Sequence, residues 1–118
     1  KVKKQSHFQA STVSVATGST NSVTFKAPSN QVWRIYKVDV EGPPTSTVTL
    51  KYKEELSNNI VTLDSLYGYE LPLTFKETAT DQQLILTEDR DLQVHLVNNT
   101  GSTLTYRVVI YFIKMWEA

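Results

Sequence analysis

The chain has 118 residues, of which 40% are apolar and 20% are charged, as is typical of a single globular domain. Twelve Lys and Arg residues balance twelve Asp and Glu residues, and this argues against a nucleic-acid partner, which requires clustered positive charge. The absence of cysteine excludes a disulfide framework and a thiolate nucleophile, and no apolar run reaches the roughly 18 residues of a membrane helix.

Short runs of alternating apolar and polar residues, each closed by turn residues, recur along the chain and predict about eight β-strands. No long stretch repeats apolar residues at helical spacing. Residues 1–7, with Lys at positions 1, 3 and 4, are expected to form a flexible basic arm. The stretch 58–69 does not alternate clearly and has room for one short strand over 60–63. The other predicted strands cover residues 8–16, 22–27, 31–40, 47–52, 71–75, 83–87, 91–97 and 104–113.

The third predicted strand changes its apolar face part-way along. Trp33 and Ile35 share one face, whereas Val38 and Val40 share the opposite one. A β-bulge near Tyr36 would restore a single buried face, because one extra residue reverses the phase of the alternation. Cover on both faces would explain the pattern as well, and we favour the bulge.

The last predicted strand, 104–113, alternates strictly at its start and then becomes apolar on both faces. A strand with one face in water keeps its alternation, so the second apolar face must be covered. Either another segment of the chain, such as the stretch around Phe8, covers it, or another subunit does. The predicted interface comprises Val109, Tyr111, Ile113 and Trp116.

Two tyrosines in a loop-like stretch, Tyr67 and Tyr69, are the candidates for ligand contact. Aromatic rings with a polar tip are favoured at interfaces and against sugar faces. An equally supported interpretation is that both tyrosines close one end of the domain.

No constellation in the sequence predicts catalysis, a cofactor or a metal site. His95 alternates with apolar neighbours and fits an ordinary strand histidine. The acidic turn 88–91 lacks the regular spacing of a calcium loop and fits a solvated turn. Residues 98–100 match the N-glycosylation acceptor pattern, at a predicted hairpin connection (98–102) that would suit exposure.

Residues 23–35 combine a strand, a Pro-containing turn and an apolar strand. Residues 84–97, the turn 98–102 and the final apolar strand follow the rhythm of the closing strands of a jelly roll. In this rhythm the chain resembles small jelly-roll or β-sandwich structural proteins of viruses, such as capsid, decoration and spike domains. Carbohydrate-binding modules share the rhythm, and no functional residue is transferred from the resemblance.

The fold prediction is therefore all-β: a single antiparallel β-sandwich domain over 1–118, of jelly-roll type. An immunoglobulin-like sandwich is the alternative, although its Cys–Trp–Cys pattern is missing. We expect a non-enzymatic structural protein that forms homo-oligomers or larger assemblies in a virion or outside the cell. The resemblance makes a capsid, decoration or spike subunit the leading expectation. The alternative is an extracellular module that binds a carbohydrate or a cell surface.

Overall fold

The computed structural model describes residues 1–43, 47–53, 60–66, 73–76 and 84–117. Within these ranges the chain forms nine strands and no helix, where the sequence predicted about eight strands. The strands are β1 (Val2–Val15), β2 (Ser19–Lys26), β3 (Gln31–Glu41), β4 (Thr47–Lys53), β5 (Ile60–Leu66), β6 (Leu73–Lys76), β7 (Leu84–Leu86), β8 (Asp91–Asn98) and β9 (Leu104–Glu117).

The strands form two antiparallel sheets. The first has the order β1-β9-β3-β6, with β7 also paired to β3, and the second has the order β2-β8-β4-β5. The pairing is nested, because β1 pairs with β9, β2 with β8, and β4 with β5. The chain is thus all-β and antiparallel, in agreement with the predicted β-sandwich class.

One apolar core lies between the two sheets. The alternation seen in the sequence of β8 is obeyed, and Leu92, Val94 and Leu96 are fully buried. Tyr106, Val108, Ile110 and Phe112 of β9 join the same core. β1 and β2 contribute Val13, Val15, Val23, Phe25 and Ala27, and β3 and β7 contribute Trp33, Ile35, Val38, Val40, Leu84 and Leu86.

The β-bulge predicted in the third strand is confirmed. The register between β3 and β9 shifts between Ile35 and Lys37, so that Tyr36 is the extra residue. Because of this shift, both apolar pairs of β3 reach the core despite their opposite phase in the sequence. The same shift leaves Tyr36 outside, with 38% of its surface exposed.

The first strand begins earlier than the sequence predicted. Residues 2–7, expected as a flexible arm, form the first part of β1 and pair with residues 112–117 of β9. Ladder pairing satisfies backbone groups whatever the polarity of the side chains, which explains a strand whose first nine residues are all exposed.

The predicted hairpin over 98–102 is wrong, because β8 belongs to the second sheet and β9 to the first. The connection crosses between the sheets and is held by the buried side chain of Asn98. Asn98 Nδ2 donates to Val15 O (2.9 Å) and to Ser102 O (2.8 Å). Its Oδ1 accepts from Thr100 N (2.9 Å) and Thr100 Oγ1 (2.6 Å). Asn98 is therefore a fully bonded structural residue, and the folded chain does not present it as an exposed glycosylation acceptor.

Candidate functional site

The first sheet has an outer face, which is the side turned away from the second sheet. Since Val108, Ile110 and Phe112 point to the core, the alternating residues Val109 and Tyr111 point to the outer face. Ile113 follows them on the same side. These three predicted interface residues therefore form one continuous stripe along β9.

Trp116 does not extend this stripe. The pairing of β1 with β9 continues without a register shift to Glu117, so Trp116 shares the face of Phe112 rather than that of Ile113. Its ring lies 4.9 Å from Lys114 Nζ in a cation–π contact. The structure thus brings together three of the four predicted interface residues and separates the fourth.

Burial divides the stripe further. Val109 is only 1% exposed and lies between Ala10 of β1 and Asp39 of β3, so it offers no surface to a partner. Tyr111 and Ile113 are half-buried. That all four residues belong to an interface stays a prediction.

A row of three aromatic side chains, here called the aromatic row, crosses the outer face at right angles to the strands. It comprises Phe8 of β1, Tyr111 of β9 and Tyr36 of β3. The ring centroid of Tyr111 lies 6.4 Å from that of Phe8 and 6.5 Å from that of Tyr36. Phe8 is 57% exposed and Tyr36 is 38% exposed. Large, exposed aromatic rings in contact with one another are characteristic of binding surfaces.

Charged side chains flank the aromatic row. Lys37 Nζ lies 5.0 Å from the centre of the Tyr111 ring and 3.4 Å from Asp39 Oδ2. Farther along the outer face, Arg107 and Glu41 approach to 3.8 Å. The apolar surface therefore has a polar margin, as specific protein interfaces do.

Two members of this row, Phe8 and Tyr36, were not predicted as contact residues from the sequence. The stretch around Phe8, next to the predicted arm, was expected only as possible cover for the last strand. In the structure β1 pairs beside β9 in the same sheet, and Phe8 stays exposed. Tyr36 could have been found from the change of phase in β3, because the extra residue of a bulge lies outside the ladder. Tyr67 and Tyr69 lie outside the described residues.

A cleft with a volume of about 400 Å³ lies at one end of the molecule. Trp116 and Met115 of β9 line it together with Glu88 and Asp89 of the acidic turn and with Asn30. The Glu88 carboxylate accepts a hydrogen bond from Ser29 Oγ at 3.1 Å. The cleft therefore combines an aromatic ring with hydrogen-bonding side chains.

His95 lies within a polar ladder on β8. His95 Nε2 is 2.9 Å from Gln93 Oε1, and Gln93 Nε2 donates to Asp91 Oδ1 at 3.3 Å. In the described part of the chain, no group of three or more His, Cys, Asp or Glu side chains is arranged to hold a metal ion. Among the same residues, no helix is long and apolar enough to cross a membrane.

No protein-family model and no curated protein sequence matches the chain. Among solved structures, the chain is similar to the Drosophila NLP-core, described with pentamer formation and histone binding, at 15% identity and a TM-score of 0.44, over 90% of this chain and 97% of that one. PirA gives 15% identity and a TM-score of 0.44, over 86% and 92% of the two chains. A chain of the infectious bursal disease virus Gt strain gives 6% identity and a TM-score of 0.45, over 98% of this chain and 33% of that one. The resemblance to viral β-proteins is thus weak at the level of structure, and these similarities do not place the chain in a family.

Proposed function

We propose that the protein is a non-enzymatic structural subunit that assembles with copies of itself through protein–protein contacts. Its place would be a virion, as a capsid, decoration or spike subunit, or an extracellular structure. The observation that carries the proposal is the aromatic row on the outer face, in which Phe8 and Tyr36 are exposed.

The aromatic row favours a protein partner for two reasons. Phe8 is more than half exposed and lies beside Tyr111, so burying the two rings together would remove a continuous apolar area from water. The Arg107–Glu41 pair lies farther along the outer face, where it need not be desolvated, and the charge of Lys37 beside the Tyr111 ring is paired with Asp39. An apolar centre with a polar margin suits association with a complementary surface.

The strand order supports a jelly roll as the finer fold type. The nested pairing of β1 with β9, β2 with β8, and β4 with β5 is the arrangement produced by rolling up one long hairpin. In this description β6 and β7 share one position beside β3. Jelly rolls are frequent among viral capsid and lectin domains, and a fold alone does not select between these functions.

Sedimentation equilibrium over a concentration series tests the proposal. We expect the mass to exceed that of the 13.4 kDa monomer at high micromolar concentration, and the double variant Phe8→Ser/Tyr36→Ser to shift the curve toward the monomer. Thr24→Ser, on an exposed position of the second sheet, is the matched control and should leave the mass unchanged. A wild-type chain that stays monomeric over the whole series refutes self-assembly.

The cleft beside Trp116 supports a second candidate function, the binding of a glycan. An indole ring next to carboxylate and amide side chains is an arrangement that can stack on a sugar face and bond its hydroxyls. A glycan array would test this, with Trp116→Ala compared with wild type and with the double variant Tyr67→Ala/Tyr69→Ala. Absence of any bound glycan, or binding that survives all of these substitutions, would exclude both predicted contact sites.

A further inference from the structure

The outer edge of β1 offers backbone groups to a further strand. β1 is the terminal strand of the first sheet among the described residues, and it pairs with β9 over 14 consecutive residue pairs without a register shift. An edge strand presents unpaired N–H and C=O groups that can pair with another chain. Proteins block such edges with charges, Pro, bulges or very short strands.

Most of the β1 edge carries none of these protections. Residues 5–12 contain no Lys, Arg, Asp, Glu, Pro or Gly, and all but Ser11 are exposed. The edge is closed near its far end, where Asn21 Nδ2 donates to Ser14 O at 2.9 Å. A stretch of about eight residues, roughly 27 Å long at strand spacing, is therefore available to another strand.

We propose that β1 pairs antiparallel with β1 of a second copy of this chain, about a two-fold axis at Phe8, so that the two first sheets join into one. This inference rests on the proposed function and names the partner and the contact. Its basis is the juxtaposition of an unprotected strand edge with the end of the aromatic row.

The charges of β1 favour this arrangement. The strand contains Lys3 and Lys4 and no acidic residue. A parallel pairing, or a two-fold axis near residue 4, would place lysines beside lysines, which is destabilising. With the axis at Phe8, Lys4 lies opposite Thr12 of the second copy, and the Lys4 residues of the two copies are roughly 27 Å apart along the strands.

The aromatic row favours the same axis. Phe8 is the member of the row at the sheet edge, and directly opposite side chains in an antiparallel pair lie about 5 Å apart at Cβ. The axis therefore brings the two Phe8 rings together and extends the row from Tyr36 of one copy to the corresponding tyrosine of the other. Strand pairing over this length buries less surface than a standard protein interface, so we expect a weak dimer.

Cross-linking with single cysteines tests the pairing, because the chain has no cysteine of its own. Phe8→Cys places two thiols within disulfide range on the axis, and mild oxidation should give a disulfide-linked species of twice the monomer mass. Lys4→Cys is the matched control: its two sulfurs would be roughly 27 Å apart and should give no such species.

A second pair of variants keeps the Phe8 side chain. Ser6 and Ala10 lie opposite each other across the proposed axis, so an equimolar mixture of Ser6→Cys and Ala10→Cys should yield the mixed disulfide. Each variant alone should not, since the offset is roughly 14 Å.

The outcomes separate the inference from the proposed function. If the wild-type chain self-associates but neither Phe8→Cys nor the mixture cross-links, the edge pairing is overturned and assembly through another surface stands. Efficient cross-linking of Ser6→Cys with itself would overturn the register. If the wild-type chain is monomeric and no variant cross-links, the pairing and the proposed self-assembly fail together.

Discussion

Asn98 offers the sharpest test of how this sandwich is held together. Its side chain makes four hydrogen bonds at the crossing between the sheets, two donated to Val15 O and Ser102 O and two accepted from Thr100. Asn98→Ala removes all four. Ser102 O still accepts a hydrogen bond from the hydroxyl of Thr100 at 3.1 Å. Val15 O loses its bond from Asn98 Nδ2, and Thr100 N loses its bond to Asn98 Oδ1.

The expected cost follows from the loss of the Asn98 side-chain bonds to Val15 O and Thr100 N. A buried polar group left without its partner costs about 1–3 kcal/mol, so Asn98→Ala should lower the free energy of unfolding by about 3 kcal/mol. For a domain of this size that corresponds to a fall in Tm of roughly 10–15 °C. Thermal unfolding followed by circular dichroism measures the change. Asn99→Ala, the same substitution at the exposed neighbour, is the control and should stay within about 0.5 kcal/mol of wild type.

Asn98→Asp should make the free energy of unfolding depend on pH, which a purely steric role of Asn98 would not do. The aspartate would keep the bonds from Thr100 but would direct an anionic oxygen at two carbonyl oxygens, so the pKa of the new carboxyl should rise in the folded state. A raised folded pKa means that the carboxyl favours folding at low pH and that this contribution is lost as the pH rises through the folded pKa. We therefore expect the deficit relative to wild type to be largest at pH 7 and to shrink toward pH 4. An Asn98→Ala variant as stable as wild type, or an Asn98→Asp deficit independent of pH, would refute the hydrogen-bonding argument.

Two further substitutions and one deletion test the packing. Gly42→Ala should lower the free energy of unfolding, measured by chemical denaturation, by about 1–3 kcal/mol. Gly42 has φ near +153°, and an added Cβ would meet the buried ring of Tyr106. Gly101→Ala is the control and should leave the stability unchanged, because the space around Gly101 is open. Deletion of Tyr36 should preserve cooperative unfolding, because it removes only the extra residue of the bulge and leaves Val38 and Val40 in phase with Ile35 on the core face; loss of the cooperative transition would contradict the assignment of Tyr36 as the extra residue. Tyr106→Phe should leave stability unchanged or raise it by up to about 1 kcal/mol, because the buried hydroxyl has no hydrogen-bond partner among the described groups; a clear loss would reveal a partner.

Local alternation was a sound guide to which residues are buried. Val13, Val15 and the inward residues of β8 lie where period-two spacing put them, since one side of a sheet must face the core. The reversal of phase in β3 even located the bulge. These features are local, and their physical cause acts within a few residues of the chain.

The sheet to which each strand belongs could not be predicted in the same way. The turn over 98–102 has the composition of a hairpin connection, but β8 and β9 belong to different sheets. Asn98 holds the crossing between the sheets, and its partners include Val15, 83 residues earlier in the chain. A polar residue that is buried by contacts at such a distance leaves no periodic signal.

The loss of alternation in β9 has a cause that lies partly outside the sequence of the strand itself. Val109 needs no partner to be covered, because it lies between neighbouring strands of its own sheet. What remains exposed is the side chain one strand farther out, Phe8, on the edge strand β1. β9, the strand that is apolar on both faces, is therefore central in its sheet. The apolar surface that stays exposed lies on the neighbouring strand β1. A partner that joined only the face of β9 would leave the β1 backbone groups unpaired, whereas a second β1 would satisfy those groups and cover Phe8 at once.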